Sequence, residues 1–243
     1  MENPGQKVTF TIQGRSVRGV HGESLLGAVR RAGFEVPSLC HHEAVSAYGA
    51  CRLCLVEVQK GRKRKVTTSC NYPVQEGITV LLDTEKVVRQ RRVVFQLLLA
   101  MAPAAAPVRR LAAAYGVTDT PFAPDPGNDC IDCGLCARAC KEIVGLEAIA
   151  FAGRGTAKRM TTPYDDVNAA CIGCGACVVV CPTECLQMSQ VGLVRRLPRW
   201  QRDLELQQCP SCGRPFAPAA QLAHFAREIH ADAKRFERCL DCR

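Results

Sequence analysis

From Lys7 to Ile12 polar and apolar residues alternate with the period of a strand, Gln13-Gly14 supplies a turn, and Arg15 to Val20 resumes the alternation, so the chain opens on a β-hairpin. The period then changes. Leu25, Leu26, Ala28 and Val29 fall on one side of a helix that Ser24 can cap and Gly33 can end in a left-handed turn. Leu55 to Val58 reads as a strand, Lys60 to Lys65 as a basic turn, and Val66 to Ser69 as a returning strand. Thr84 to Gly116 keeps a helical pattern, with Val87, Val88, Phe95, Leu97, Leu98 and Leu99 apolar, and is expected to be a packing helix between two domains. Pro103, Pro107, Pro121, Pro124 and Pro126 mark a linker beyond it. Near the end, Pro218 to His230 forms an amphipathic helical pattern with Leu222, Phe225, Ala226 and Ile229 on one side and His224 and His230 on its solvent or packing face.

The cysteines organise these elements. Cys130-x2-Cys133-x2-Cys136-x3-Cys140 is followed by Cys171-x2-Cys174-x2-Cys177-x3-Cys181-Pro182. Residues three apart on a tight loop reach three corners of an iron–sulfur cubane, and a distant cysteine supplies the fourth; in two-cluster ferredoxins that fourth cysteine is exchanged between the runs. One [4Fe-4S] cluster is therefore assigned to Cys130, Cys133, Cys136 and Cys181, and the other to Cys140, Cys171, Cys174 and Cys177. Gly134, Gly173 and Gly175 suit backbone that must wrap closely around a cluster. Upstream, Cys40-x10-Cys51-x2-Cys54 and Cys70 lie on loops around the strand pair and make a [2Fe-2S] site, which needs two ligands per iron. His41 and His42 beside Cys40 raise a Rieske-like alternative, but four cysteines already satisfy the site. Cys185 is left over and reads as a small buried hydrophobe. At the C-terminus, Cys209-x2-Cys212 and Cys239-x2-Cys242 form two knuckles suited to tetrahedral Zn²⁺, with a third [4Fe-4S] cluster as the competitor.

A family resemblance rests on Ser38-Leu39-Cys40-His41-His42, on Gly49-Ala50-Cys51-Arg52-Leu53-Cys54-Leu55-Val56-Glu57-Val58 and on Thr68-Ser69-Cys70. These segments closely resemble the first iron–sulfur domain of the large peripheral (75 kDa-type) subunit of respiratory complex I. The same domain opens the small diaphorase subunit of NAD-reducing hydrogenases, the catalytic subunits of some NAD-dependent formate dehydrogenases and the large subunits of iron-only hydrogenases. The resemblance implies a β-grasp [2Fe-2S] domain followed by a two-cluster ferredoxin domain. Members also carry between them a [4Fe-4S] centre with one histidine and three cysteine ligands, for which residues 84–116 offer neither Cys nor His. The C-terminal knuckles are similar to a zinc-ribbon-like tail in some hydrogenase- and formate-hydrogenlyase-associated ferredoxin subunits. The expected α+β organisation is a β-grasp domain at 1–83, a helical linker at 84–126, a 2×[4Fe-4S] ferredoxin domain at 127–192 and a four-cysteine zinc-ribbon-like module at 193–243.

Composition supports cofactor-stapled modules: only 5% of the 243 residues are aromatic and one is tryptophan, so ligation is expected to supply folding energy. The formal charge of +9 counts every cysteine as neutral. Four thiolates around each of four metal sites carry about −2 per site, which brings the total to about +1 and makes the basic excess mainly charge compensation. Lys60 to Lys65 and Arg89 to Arg92 remain as local basic patches, read as a solvated hairpin turn and a helix face, with partner docking as the rival reading. Absence of a recognition helix and of interleaved aromatics weighs against nucleic acid as partner. Met1 to Gln13 has neither a basic start with an apolar run nor a twin arginine, and Val93 to Val108 is broken by Gln96, Pro103 and Pro107; a cytoplasmic chain without a membrane span is expected. There is no Gly-x-Gly-x-x-Gly after a strand and no Walker-type loop, so no site for NAD or FMN is recognisable. The Cys-x3-Cys-x2-Cys signature of radical enzymes is missing as well. The expectation is an electron-transfer subunit without catalytic residues of its own. It would sit in a hetero-oligomer between a flavoprotein NAD(P)H-oxidoreductase subunit and a second catalytic subunit, a hydrogenase being favoured over a molybdenum or tungsten enzyme such as formate dehydrogenase.

Overall fold

The computed structural model describes residues 5–243; the Met1–Pro4 part of the N-terminal stretch lies outside them. The chain forms two compact units that divide between Cys133 and Gly134.

In the first unit, β1 (Lys7–Ile12) and β2 (Arg15–Val20) pair antiparallel with Ile12 opposite Arg15. Gln13 at φ 48° and Gly14 at φ 79° turn the chain between them, as a two-residue hairpin matched to strand twist requires. Helix α1 (Leu25–Arg31) follows, and Gly33 ends it at φ 83°. Strands β3 (Leu55–Lys60) and β4 (Lys63–Thr68) form the second hairpin, so most of the basic run belongs to an exposed edge strand. A short strand that the sequence pattern did not announce, β5 (Thr79–Leu81), runs parallel to β1 and antiparallel to β3, giving the order β2-β1-β5-β3-β4. Leu25, Leu26 and Val29 of α1 share one buried cluster with Phe10 and Ile12 of β1, Val56 and Val58 of β3 and Val80 of β5. This single helix laid on a mixed sheet is the expected β-grasp arrangement.

Thr84 to Gly116 is two helices, α2 (Glu85–Met101) and α3 (Ala106–Ala114), broken at the segment containing Pro103. The hydroxyl of Thr84 accepts from the Val87 amide at 3.3 Å and caps α2. Phe95, Leu98 and Leu99 turn inward, while Val88 and Leu97 stay exposed. The Arg89 to Arg92 run is not a uniformly solvated face: Arg91 is 4% exposed and donates to the carbonyls of Leu55 at 2.7 Å and Leu82 at 3.1 Å. Asp83 stands 3.5 Å from the same guanidinium. Arg91 thus bonds α2 to the strands that precede it.

In the second unit, two four-residue helices, α4 (Leu135–Arg138) and α5 (Ala176–Val179), carry the third cysteine of each run. A small hairpin pairs β6 (Ala150–Ala152) with β7 (Arg159–Thr161). An antiparallel meander then runs β8 (Ser189–Val191), β9 (Val194–Leu197), β10 (Arg202–Gln208) and β11 (Pro215–Pro218), before helix α6 (Ala219–Glu228). These strands are short and mostly half-exposed, which explains why their sequence pattern is weak. Helix α6 buries His224 and Ala226, and the His224 Nε2 lies 2.6 Å from the Val144 carbonyl oxygen, so this histidine is a packing residue. Ile229 falls just past the helix and is exposed, contrary to its expected place on the buried side. Among the described residues, no helix is long and apolar enough to cross a membrane.

Replacing Arg91 by Met strands two buried carbonyls while keeping side-chain volume. It is expected to cost about 2 to 4 kcal/mol, read by circular dichroism as a lower urea midpoint for unfolding of the first unit.

Candidate metal centres

Cys40, Cys51, Cys54 and Cys70 are all at most 3% exposed; the first three lie on the connection between α1 and β3 and Cys70 on the turn that follows β4. Among the described residues, no cysteine forms a disulfide. Their thiols fall into two pairs, Cys40 with Cys51 and Cys54 with Cys70, each joined by a sulfur hydrogen bond. Accepting that bond pulls Cys51 and Cys54 down to about 6, and donating it raises Cys40 and Cys70. Backbone amides also point inward: Leu39 N–H to Cys51 Sγ at 3.5 Å and Cys51 N–H to Cys40 Sγ at 3.3 Å. Arg52 sits at φ 57° between the two cysteines of the Cys-x2-Cys turn, a conformation that aims successive amides to one side. Two thiol pairs ringed by amide donors fit a binuclear core that takes two thiolates per iron.

The outer walls of this pocket are pinned by side chains of neighbouring elements. Ser24 does not cap α1 with its hydroxyl; it donates to the Cys70 carbonyl at 3.0 Å. Ser69 donates to the Cys54 carbonyl at 2.9 Å. His42 is exposed and its Nδ1 accepts from the Ala44 amide at 3.2 Å, which occupies it with its own turn.

Of the first cubane set, Cys130 and Cys133 belong to the first unit, Cys136 and Cys181 to the second. Asn128 accepts from the Cys130 amide at 3.0 Å and donates to the Met101 carbonyl at 2.6 Å, tying the first knuckle to the end of α2. The Asp132 amide donates to Cys130 Sγ at 3.4 Å. In the second unit, Cys181 Sγ lies 3.6 Å from Cys185 Sγ, and their hydrogen bond, with burial, raises the Cys181 thiol. Cys185 is therefore half-buried beside an expected ligand, not a simple core residue.

The second cubane set is drawn together most completely. Cys140, Cys171, Cys174 and Cys177 all line one cavity, which with its mouth encloses about 370 Å³ and is otherwise walled by apolar side chains including Val144, Ile149, Ile172, Leu197 and Trp200. Burial pushes the Cys140 and Cys174 thiols up, as each lies in the field of its neighbours. Burial takes Cys177 up to about 11, against the opposing effect of a hydrogen bond from Trp200. Four thiolates out of water cost free energy unless a cation compensates them, so a cavity of this composition suits a metal–sulfur core. The repeated spacing folds the same way twice: Gly134 at φ 69° leads into α4 and Gly175 at φ 79° into α5.

The C-terminal set converges on a point. The ligand atoms of Cys209, Cys212, Cys239 and Cys242 lie within 4.8 Å of one another, with Cys212 and Cys239 sulfurs 3.7 Å apart. The β10–β11 reversal supplies the first knuckle, where Gly213 N–H donates to the Cys209 carbonyl at 2.8 Å. A terminal turn supplies the second, with Cys242 N–H donating to the Cys239 carbonyl at 3.0 Å. Backbone donors, that of Cys239 foremost, hold the Cys209 thiol down at about 6. Burial raises Cys239, but the Arg214 guanidinium, which donates to its sulfur at 3.4 Å, and the hydrogen bonds of Cys242 and Cys212 together outweigh it and leave the thiol lowered.

The 2Fe-2S iron-sulfur cluster binding domain family matches residues 5–85, and the 4Fe-4S dicluster domain family matches residues 126–188. The NADPH-Fe(3+) oxidoreductase subunit alpha of Geobacter sulfurreducens is 33% identical over 90% of this chain, and the alignment takes in 28% of that protein. The mitochondrial NADH-ubiquinone oxidoreductase 78 kDa subunit of Candida albicans is 29% identical over 74% of this chain and 28% of its own length. The chain thus spans under a third of the curated relatives it matches. Among solved structures, a chain of an NAD+-reducing [NiFe]-hydrogenase in the H2-reduced state is 33% identical, with a TM-score of 0.56 over 64% of this chain and 74% of that one.

Gly173 tests how tightly the second cubane loop is packed. A Cβ there would stand 2.5 Å from Leu204 Cδ1, on backbone at φ 69°. Gly173→Ala is expected to cost roughly 1 to 3 kcal/mol and to lower the temperature at which the second unit loses iron, measured by thermal bleaching of the purified protein.

Proposed function

Since this chain belongs to the iron–sulfur electron-transfer subunits common to NADH- and NADPH-type oxidoreductases and hydrogenase-related complexes, we propose that it carries three clusters. It would relay electrons between a flavin- and NAD(P)H-handling partner and a second catalytic subunit. Cys40, Cys51, Cys54 and Cys70 would hold a [2Fe-2S] cluster; Cys130, Cys133, Cys136 and Cys181 one [4Fe-4S] cluster; Cys140, Cys171, Cys174 and Cys177 the other. When bound, these clusters supply reversible one-electron chemistry at potentials set by ligand type, hydrogen bonds to sulfur and solvent exposure. The observation that carries the reading is the common cavity of Cys140, Cys171, Cys174 and Cys177, which draws the last cysteine of one run to the first three of the next.

The chain's own residues do three things in this scheme. Buried thiols provide the ligands. Inward backbone amides at Leu39 and Cys51 lower the electron density on sulfur, and apolar side chains such as Ile149 and Leu197 keep water from the second cubane cavity. No group in this scheme binds a substrate, so the nucleotide chemistry falls to a partner.

The C-terminal four-cysteine site is assigned to zinc. Four thiolates set tetrahedrally about 2.3 Å from one ion stand roughly 3.8 Å apart, close to the 3.7 Å between Cys212 and Cys239. Thiolates at the corners of a cubane stand farther apart, because the cluster's own width lies between them. Mutual approach within 4.8 Å favours the single ion.

A hydrogenase is the favoured second subunit, on the likeness to a chain of an NAD+-reducing [NiFe]-hydrogenase that this chain covers by 74%. The alternative is another NAD(P)H-linked reductase. The Geobacter relative, an NADPH-Fe(3+) oxidoreductase subunit, supports it by matching 90% of this chain. A wiring subunit of a formate dehydrogenase or other molybdenum or tungsten enzyme is the remaining reading. The complex is placed in the cytoplasm.

Anaerobic metal and sulfide analysis with EPR during stepwise reduction is expected to give about ten iron atoms, one zinc and signals of one binuclear and two cubane clusters. About fourteen iron atoms without zinc would make the C-terminal site a third cubane. NAD(P)H should reduce the clusters only after a flavoprotein partner is added; diaphorase activity of the chain alone would overturn the relay assignment.

A further inference from the structure

The single tryptophan of the chain stands where the cluster reading does not use it. Trp200 lies in the reversal between β9 and β10, followed by Gln201 at φ 48°, and is 3% exposed. Its side chain lines the cavity of Cys140, Cys171, Cys174 and Cys177 and acts on the Cys177 thiol as a hydrogen-bond partner, lowering it against the effect of burial. Indole N–H is a donor only, so the bond runs from Trp200 Nε1 to the Cys177 sulfur.

The strands beside Trp200 grip the same loop. Arg195 of β9 donates to the Gly173 carbonyl at 2.9 Å, and also to Gln221 Oε1 at 2.9 Å and the Phe216 carbonyl at 3.0 Å. Arg202 of β10 donates to the Cys171 carbonyl at 3.1 Å. Leu204 and Leu197 pack against the α-carbon face of Gly173, where an added Cβ would stand 2.5 Å from Leu204 Cδ1 and 3.7 Å from Leu197 Cδ1. The meander is thereby fixed to the backbone that presents Cys171, Cys174 and Cys177, while its far end, at the β10–β11 reversal, carries the Cys209 and Cys212 knuckle.

We propose that Trp200 is a positioning residue of the second [4Fe-4S] site: its indole N–H donates to the Cys177 thiolate and its ring closes the cavity, so that the C-terminal module sets the reduction potential of that cluster. The proposal rests on the ligand assignment of Cys140, Cys171, Cys174 and Cys177. A hydrogen bond to a ligating sulfur withdraws electron density and favours the reduced, more negative state. Arg195, held at the same loop, adds a fixed positive charge with the same sign of effect.

Having one tryptophan makes the test selective. The full-length holo-protein labelled with 15N-tryptophan is reduced in steps, and pulsed EPR reads hyperfine coupling of the labelled indole nitrogen. Coupling on one cubane signal and on no other cluster is expected. Trp200→Phe, which keeps a ring and removes the donor, is expected to shift the midpoint of that cubane to more negative potential, leaving iron content and the other midpoints unchanged. Two intact cubane signals with no 15N coupling, or an unmoved midpoint in the Phe variant, would overturn the role of Trp200 while leaving the ligand assignment standing. A labelled protein that forms one cubane, with Cys140 and Cys174 open to alkylation, would overturn the ligand assignment and this proposal with it.

Discussion

Gathering thiols at Cys40, Cys51, Cys54 and Cys70, at Cys140, Cys171, Cys174 and Cys177 and at Cys209, Cys212, Cys239 and Cys242 is the constraint on which the rest of the structure depends. A sulfur removed from water needs a proton, a donor or a cation, and in this chain the groups are built so that metal–sulfur bonds can supply the cation. The backbone around them turns left-handed at Arg52, Gly134 and Gly175. Amides then aim at sulfur, as those of Leu39, Cys51 and Asp132 do. Such loops have few bonds of their own, and each is held by a neighbour: Ser24 at Cys70, Asn128 at Cys130, Arg195 and Arg202 at the Cys171 loop.

The two units solve the same problem with different supports. In the first, a sheet and a helix supply an ordinary apolar core, with Phe10, Leu25 and Val56 buried, and Cys54 and Cys70 belong to that same core. In the second, α4 and α5 are four residues each and no comparable core surrounds them among the described residues. There the meander and α6 provide the packing, through Leu197, Leu204 and Trp200, and a four-cysteine knuckle closes the far end. Small modules without a large core commonly use a metal in this way.

What the sequence made legible follows the range of the interactions. The hairpin at Gln13-Gly14, the extent of α1 and the spacing of every cysteine run are set within a few residues, and they appear where the alternation and the motifs place them. The pairing of Cys140 with the Cys171 run was readable only through the general geometry of cubanes, not through local pattern. Long-range contacts were not legible. Arg91 reads as one charge in a basic run until its carbonyl partners at Leu55 and Leu82 are known. Ser24 reads as a helix cap, yet its hydroxyl crosses to a residue 46 positions away. Strand β5 has three residues and its burial depends on neighbours from both hairpins, so no alternation could announce it.

Charge ties these points to function. A count of +9 invites a reading of acidic partners, but the structure distributes the cations unevenly. Arg91 serves buried carbonyls; Arg195 and Arg202 bond the backbone of a ligand loop; Arg214 meets both Cys239 and Asp241. Cations that approach thiolates favour the ionised sulfur that metal ligation requires, and a fixed cation near a redox centre favours its reduced form. The arginines packed at the Cys171 loop and at Cys239 are therefore part of the surroundings of those sulfurs. Lys63, Arg64 and Lys65, on the exposed β4 edge, are a different population. Surface charges of that kind are open to a partner, and their effect would fall with added salt, whereas that of the arginines held at the ligand loops would persist.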